Sequence, residues 1–224
     1  MSNSRKGSLS VQYMTRIAIL GALASILFYW PEIPIFPPIY KLDLSNIPVL
    51  LGAFSMGPLP GLAILVIKDL TGMLHSSNQF VGELADFLMS AAYVLPAALI
   101  YQRHKNRKNA LIGMLTGTVV MVVISVLVNW KIMFPFYTLA MGMPMEAIVG
   151  LFQKLVPIID SEWKVLAFAT APFNLLKGVI LSILTFVMYK RLSPLLHVRG
   201  AGRNPQAKPE SAGNTAHDGV KRKA

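Results

Sequence analysis

Apolar residues fall into six runs along the chain, separated by polar or proline-rich breaks. A helix that crosses a membrane needs about 20 mostly apolar residues. The runs cover residues 17–30, 44–56, 62–74, 80–101, 110–128 and 165–189. The second and third runs are short, but clear breaks flank both of them. The pattern therefore predicts an all-α membrane protein with six transmembrane helices.

The breaks have compositions typical of turns and loops. Prolines dominate residues 31–38, GPLPG at 57–61 indicates a tight turn, and HSSNQ at 75–79 is a polar loop. A basic loop covers 102–109, and the polar residues at 129–131 are predicted to end the fifth span. A mixed segment with several prolines follows to about residue 163, and Lys190 and Arg191 are predicted to end the sixth span.

The amino-acid composition supports the membrane interpretation. Of the 224 residues, 54% are apolar and only 14% are charged. Soluble domains carry roughly 45–50% apolar and about 25% charged residues. The composition therefore excludes a disordered chain and argues against an ordinary soluble domain.

The net charge of +11 predicts an orientation. With the N-terminus in the cytoplasm, the outside loops hold four basic residues, Lys41, Lys131, Lys154 and Lys164, and most other Lys and Arg lie inside. Short cytoplasmic loops carry an excess of Lys and Arg, so the chain is predicted to be N-in and C-in. Because the basic runs lie at span ends, nucleic acid is not the expected partner.

Three regions follow from this arrangement. Residues 1–10 form a cytoplasmic N-terminal segment, residues 11–192 the six-helix transmembrane domain, and residues 193–224 a basic cytoplasmic tail. The tail is rich in Gly, Pro, Asn, Lys and Ala and is predicted to be disordered, because it cannot form a core. The first run could also be a signal peptide, with a cleavage-like site at 22–24. That site lies in the middle of the run, which favours an uncleaved first span.

The sequence offers no recognised catalytic or metal-binding motif. There is no cysteine, and the four histidines are not at the spacing of zinc ligands. Neither a P-loop, an H-E-x-x-H motif nor a G-x-S-x-G elbow is present. We therefore expect a protein that is not an enzyme and has no metal or cofactor of its own.

Polar residues in four of the spans lie at one depth, just below the predicted outer surface. Ionisable groups within spans are costly and commonly functional. These residues are Lys68, Asp69, Glu83, Asp86, Asn129, Asn174 and Lys177. They indicate a binding pocket open to the outside or an ion path. Lys68, Asp69 and Glu83 could instead be snorkelling groups at the interface, and Asn129 could cap a helix end.

Asn174 and Lys177 are the strongest candidates for binding. They are separated by three positions and so share a helix face, and Lys177 lies about 12 residues into its span. An amide donates and accepts hydrogen bonds, whereas an ammonium only donates. The pair suits the imide, amide or carbonyl edges of a ligand. Aromatic residues near the same surface, Tyr137 among them, could stack on a planar ligand or form an interfacial belt.

Small residues on the first span could receive another helix. Ala18 and Ala22 are four positions apart, a spacing that allows close helix approach. Packing within the six-helix bundle is the alternative use of the same residues.

Several strings of the sequence belong together. KLDLSNIPVLLG at 41–52 covers the first outer loop and the second span, and it is followed by KDLTG at 68–72 and HSSNQFVGELADF at 75–87. Asn129 with FPFY at 134–137 lies at the end of span 5, and PFNLLKG at 172–178 lies in span 6. Together these strings resemble the riboflavin-specific substrate-binding (S) components of energy-coupling factor (ECF) vitamin transporters. The resemblance covers about residues 10–192.

The resemblance implies a six-helix fold with a vitamin pocket at the outer side. Asn129, Asn174 and Lys177 would hydrogen-bond the polar edges of riboflavin, and FMN is a second candidate ligand. Leu42, Asp43 and Ala85 would line the pocket, and Glu83 and Tyr137 complete the predicted binding set.

The resemblance also implies partner subunits and a location. Ala18 and Ala22 would form the Ala-x-x-x-Ala motif that docks against a transmembrane coupling subunit, which is joined to two ATPase subunits. The chain would be a multi-pass protein of a prokaryotic plasma membrane. Riboflavin would be a transported substrate rather than a cofactor.

Three alternatives remain open from the sequence. One is an S component for another vitamin, such as thiamin or a pyrimidine precursor. Another is a secondary transporter driven by ions through Asp69, Glu83, Asp86 and Lys177. The third is a membrane assembly protein without transport activity.

Overall fold

A computed structural model describes residues 11–29, 33–36, 40–74, 76 and 79–196. The predicted N-terminal segment 1–10 and residues 197–224 of the predicted tail lie outside the described residues. The elements, in chain order, are α1 (Val11–Tyr29), β1 (Ile33–Phe36), β2 (Tyr40–Leu42), α2 (Asn46–Met56), α3 (Pro58–Met73), α4 (Val81–Arg103), α5 (Arg107–Val128), α6 (Met145–Gln153), α7 (Glu162–Val165) and α8 (Ala171–Leu196). Three π-helical segments, π1 (Asn129–Met133), π2 (Phe136–Ala140) and π3 (Leu166–Thr170), extend α5 and join α7 to α8.

The fold is mostly helical, and four helical stretches within the described residues are long and apolar enough to cross a membrane. They are Val11–Tyr29, Val81–Arg103, Arg107–Ala140 and Glu162–Tyr189. The two runs that the sequence marks as short form α2, with 11 residues, and α3, with 16 residues. At 1.5 Å per residue these helices are about 16 and 24 Å long, less than the roughly 30 Å of a bilayer core.

A two-stranded antiparallel sheet corrects the prediction that the protein is all-α. Strands β1 and β2 pair Ile33 with Leu42 and Pro34 with Lys41. Proline disfavours a helix interior but is tolerated in an edge strand, where its missing N–H removes no ladder bond. Both strands of a two-stranded sheet are edges, so the proline-rich segment can form one.

The predicted turn between α2 and α3 is confirmed and is tighter than expected. Gly57 has φ of 113°, a backbone conformation that favours glycine, and its N–H bonds to the carbonyl of Ala53. Pro58 begins α3 immediately afterwards, at a position where its missing N–H costs nothing. Helix α3 therefore begins four residues before the predicted run.

Two helices continue past the predicted span ends. The helix of the fifth span does not end at 129–131 but continues through π1 and π2 to Ala140. The apolar stretch of the sixth span ends at Tyr189, as predicted, although α8 continues past Lys190 and Arg191 to Leu196. Polar residues mark where a helix meets the surface, yet they do not break it. A long helix can extend beyond the apolar layer, because its backbone hydrogen bonds are satisfied internally.

The described residues form two large apolar cores and a smaller cluster of Ala85, Val128 and Met133. The bundle core is made by α1 to α5 and α8 and includes Leu50, Phe54, Ile64, Tyr93, Tyr101, Met114 and Leu181. The cap core lies towards the β-hairpin and includes Tyr40, Phe134, Ile148, Phe152, Ile159, Leu166 and Phe173. Helices α4 and α5 pack closely, as shown by the 2.6 Å that would separate a Cβ at Gly113 from the carbonyl oxygen of Ala97. The candidate site lies between the two cores.

Candidate functional site

A cavity of about 480 Å³ lies between the bundle core and the cap core. Its walls come from both halves of the fold: Phe28 and Tyr29 of α1, Tyr40 of β2, Gly72 of α3, Met89 of α4, Met133 of π1, and Phe173 of α8 are examples. Ligand pockets commonly measure about 300–1,000 Å³ and combine apolar walls with a few polar groups. The cavity fits that description.

Seven of the eight predicted binding residues line this cavity: Asp43, Glu83, Ala85, Asn129, Tyr137, Asn174 and Lys177. The eighth, Leu42, is buried in β2 and is not among the described lining residues. Its neighbours Lys41 and Asp43 do line the cavity.

Lys177 has charged partners within the chain. Its Nζ lies 2.8 Å from Asp43 Oδ2 and 3.5 Å from Asp86 Oδ1. Asp43 is held in turn, because its Oδ1 accepts hydrogen bonds from the backbone N–H (3.0 Å) and the hydroxyl of Ser45. The depth of Lys177 is therefore explained in part by these carboxylates, and a ligand would meet a lysine that is already oriented.

Lys68 is buried, so its interpretation as a snorkelling group is wrong. Its side chain is 0% exposed and forms an ion pair with Asp86. Asp69 Oδ1 lies 2.9 Å from Lys68 Nζ, although the two atoms do not have hydrogen-bond geometry. The centroid of the Phe28 ring lies 4.8 Å from the same Nζ atom. We call Asp43, Lys68, Asp69, Asp86 and Lys177 the charge cluster. It joins α3, α4 and α8 to the segment after β2.

Asn129 does not cap a helix end, because the helix continues through π1. Its Nδ2 donates to the carbonyl of Ser125 at 2.8 Å, and its Oδ1 accepts from the hydroxyl of Tyr40 at 3.1 Å. Asn174 is similar, since its Nδ2 donates to the carbonyl of Thr170 at 2.9 Å. Each amide has two N–H groups, so each can offer a further donor to a ligand.

Tyr40 connects the β-hairpin to the helices behind the cavity. Its ring stacks on Phe173 with centroids 5.0 Å apart and an interplanar angle of 14°, and its hydroxyl also contacts Thr170 Oγ1 at 2.6 Å. Burial raises the pKa of the Tyr40 phenol, so the hydroxyl keeps its proton and acts as a donor.

The π-helical segments coincide with the level of the cavity. Asn129 begins π1, Tyr137 lies in π2, and Thr170 ends π3. Short π-helical stretches inside α-helices are frequent at functional sites. Each stretch lies beside a proline, Pro135 or Pro172, that cannot donate to the helix ladder. These two prolines, each within an apolar stretch, are the sequence feature that could have predicted the irregular helix geometry.

Sequence reasoning assigned no specific role to several residues at the site. Tyr40 was one of several aromatic residues near the predicted outer surface, and Asp86 was named only among the ionisable residues of a pocket or an ion path. Phe28, Met133 and Phe173 line the cavity as well. Apolar residues of this kind carry no sequence signal that separates a cavity wall from ordinary core.

Ala18 and Ala22 are exposed on α1. The buried residues of that helix are Gly21, Ala24 and Ser25, which pack towards the bundle. Internal packing therefore does not use the predicted pair, and their docking role stays a prediction.

The described part of the chain is a helical membrane protein with an internal cavity. The chain belongs to the family of ECF transporter substrate-specific components, whose family model matches residues 12–189.

Named relatives and one solved structure are similar over most of their length. The riboflavin transporter RibU of Staphylococcus aureus is 30% identical over 181 residues, covering 80% of this chain and 89% of that protein. The riboflavin transporter FmnP of Bacillus subtilis is 24% identical over 194 residues, covering 83% and 94%. A solved S component of a bacterial ECF transporter superposes with a TM-score of 0.64 at 29% identity, covering 83% of this chain and 98% of that one.

Proposed function

We propose that this chain is the riboflavin-binding subunit of an ECF transporter and captures the vitamin for uptake. The observation that carries the proposal is the gathering of Asp43, Asn129, Asn174 and Lys177 around one aromatic-walled cavity. The relatives whose names state a substrate are riboflavin transporters.

The chemistry of the cavity suits a flavin. Riboflavin has a planar three-ring system with carbonyl oxygens and an imide N–H, and it carries a flexible polyol. Tyr40 and Phe173 supply flat walls, while Asn129 and Asn174 supply groups that donate and accept hydrogen bonds. The carboxylates of Asp43 and Glu83 are acceptors for hydroxyl groups.

The charges around the cavity favour riboflavin over FMN. Three carboxylates, Asp43, Glu83 and Asp86, face two lysines, Lys41 and Lys177. A phosphate group adds about −1.5 to −2 charges at neutral pH. We therefore expect FMN to bind more weakly than riboflavin, because the described lining residues carry no surplus of positive charge to receive it.

The topology that we propose has six membrane segments with both termini in the cytoplasm. Among the described residues, four helices are long enough to span, and α2 and α3 form a shorter pair around Gly57. The α4–α5 connection, with Arg103, Lys105, Arg107 and Lys108, is exposed and faces away from the cavity end. Positive loops favour the cytoplasm, so the cavity would face outside. The chain would lie in a prokaryotic plasma membrane.

The partners that we propose are a transmembrane coupling subunit and two ATPases. Membership of the ECF family supports this assignment, and the exposed Ala18 and Ala22 offer a small-residue face for a helix of the coupling subunit. The ATPases would supply the energy, and this chain would bind and reorient without covalent chemistry.

Spectroscopy of the detergent-purified protein tests the proposal. We expect a yellow protein with flavin absorbance, and the ligand released by denaturation should have the mass of riboflavin. Ligand-free protein should quench flavin fluorescence on binding, with a weaker affinity for FMN. A bound thiamin or pyrimidine would establish a different vitamin, and uptake without the ATPases under an ion gradient would establish secondary transport.

A further inference from the structure

Thr170 organises polar groups of the cavity although it does not line it. Its side chain is 0% exposed, and it is not among the described residues of the cavity wall. Its hydroxyl lies 2.6 Å from the hydroxyl of Tyr40, and its carbonyl accepts from Asn174 Nδ2 at 2.9 Å. Thr170 thus contacts one cavity residue through its side chain and another through its backbone.

The direction of each hydrogen bond can be deduced. The carbonyl of Ser125 can only accept, so the end of the Asn129 amide that faces it is the NH₂ group. The other end, Oδ1, must therefore accept the proton of the Tyr40 hydroxyl. Because that proton is used, the Tyr40 oxygen must accept from Thr170 Oγ1.

The result is a one-way chain that runs from the Thr170 hydroxyl through the Tyr40 hydroxyl to Asn129 Oδ1. Hydrogen bonds in such chains polarise one another, and a buried member that loses its partner is costly. Together with the Ser125 carbonyl, these hydrogen bonds hold the Asn129 amide in one orientation. Since the Thr170 carbonyl also accepts from Asn174, Thr170 is connected to both amides.

We propose that Thr170 is a positioning residue for ligand recognition, acting through Tyr40 on Asn129 without touching the ligand. This inference rests on the proposed function, because flavin binding is its readout. It assigns a ligand-specific role to a side chain that would otherwise count as ordinary buried packing.

Conservative variants of Thr170 test the proposal. Thr170→Val keeps the shape and removes the hydroxyl, so we expect riboflavin affinity to fall about 10-fold, the effect of one lost buried hydrogen bond. Thr170→Ser keeps a hydroxyl and should remain within about 3-fold of the parent affinity. Thr185→Val, in α8, which follows π3 directly, is the matched control, because Thr185 is 0% exposed and its hydroxyl has no partner within the described part of the chain. That control should leave affinity unchanged.

A double-mutant cycle separates positioning from general loosening of the fold. In an Asn129→Ala background the series of hydrogen bonds has lost its last acceptor, so adding Thr170→Val should change riboflavin affinity by less than about 2-fold. Tyr40→Phe serves as a second way to break the chain if Thr170→Val folds poorly, and it should show the same loss of effect in that background.

Several results would overturn the inference. Parent-like affinity of Thr170→Val would do so, as would equal fold-losses in the presence and absence of Asn129. Equal losses for Thr170→Val and Thr185→Val would show a structural effect. If the parent protein itself does not bind riboflavin, the proposed function fails, and the outcome is distinct from a failure of the positioning role.

Discussion

The two ends of the bundle solve different physical problems. Around the bundle core, helices are regular and are packed through small residues, and the buried hydroxyls of Tyr101 and Tyr189 pair with each other at 2.7 Å. Around the cavity, the helices contain π-helical segments, and lysines and aspartates are buried as the charge cluster. The bundle core holds the helices together. The resulting rigidity keeps the buried lysines and aspartates at the cavity end in place.

This division predicts that stability and ligand affinity can be changed separately. Burying a charge costs free energy unless an opposite charge and hydrogen bonds compensate for it. Buried charged groups are therefore expected mainly where they have a function, such as ligand binding. Variants of the bundle core should therefore alter the free energy of unfolding without altering affinity. Variants at the cavity should alter affinity, and those in the charge cluster should alter both.

Asp86→Asn should have the largest effect on stability. Asp86 is the shared partner of Lys68 and Lys177, so the variant leaves two buried lysines with less opposing charge. Breaking a buried ion pair costs about 3–5 kcal/mol. Thermal unfolding in detergent measures the loss, and adding Lys68→Met should recover part of it by removing one stranded charge. A parent-like unfolding temperature for Asp86→Asn would mean that the cluster does not hold the helices.

Gly113→Ala should destabilise the bundle core by about 1–3 kcal/mol, the usual cost of overpacking. The new methyl group would collide with the backbone of Ala97, which cannot move aside cheaply. Riboflavin affinity should stay unchanged, as measured by fluorescence quenching at a temperature where the variant is folded. Gly150→Ala is the control, since within the described part of the chain no atom outside its own helical turn lies within 4 Å of a Cβ there. An affinity loss in Gly113→Ala would contradict the separation of the two ends.

Asn174→Ala and Lys177→Ala should each weaken riboflavin binding by 10-fold or more, about 1.4 kcal/mol. Each removes a polar group of the cavity wall. Only Lys177→Ala should also lower the unfolding temperature markedly, because it leaves Asp43 without its lysine. Asn109→Ala, at the start of α5 and distant from the cavity, is a control. Unchanged affinity in both cavity variants would remove these residues from the binding site.

Tyr101→Phe should have the smallest effect. It removes one hydrogen bond between two neutral hydroxyls in the bundle core, worth about 0.5–1.5 kcal/mol of stability. Affinity should equal that of the parent protein. A larger effect on affinity than on stability would show that the two ends are coupled through α4 and α8.

Sequence reasoning predicted much of the helical framework because apolar runs have a direct physical meaning. Residues that must face lipid or core have to be apolar over a helix length, so the runs at 80–101 and 110–128 correspond closely to α4 and the regular part of α5. Predictions failed where prolines or polar residues interrupt the apolar pattern, as at the β-hairpin and at the continuation of α5 beyond Asn129. Proline changes backbone geometry in several ways, and the surrounding structure selects among them.

The candidate site was predictable for residues whose type is out of place in a membrane span. Asn174 and Lys177 are conspicuous because polar groups at that depth cost free energy unless they have partners or a function. Asn129 is conspicuous because it follows a long apolar run. Tyr40 and Thr170 are not conspicuous, since aromatic residues and threonines occur throughout membrane proteins. Their importance comes from partners 89 and 130 positions away along the chain.

The sequence by itself determined which groups are available: the apolar runs, the asymmetry of basic residues, and the polar side chains at one depth. Only the tertiary structure decided how those groups are used. Lys68 and Lys177 are both lysines within spans, yet one is enclosed behind the cavity and the other lines it. That difference depends on the packing of α3 and α8 against Asp86, because a charge in a low-dielectric interior is defined by its nearest partners rather than by its place in the chain.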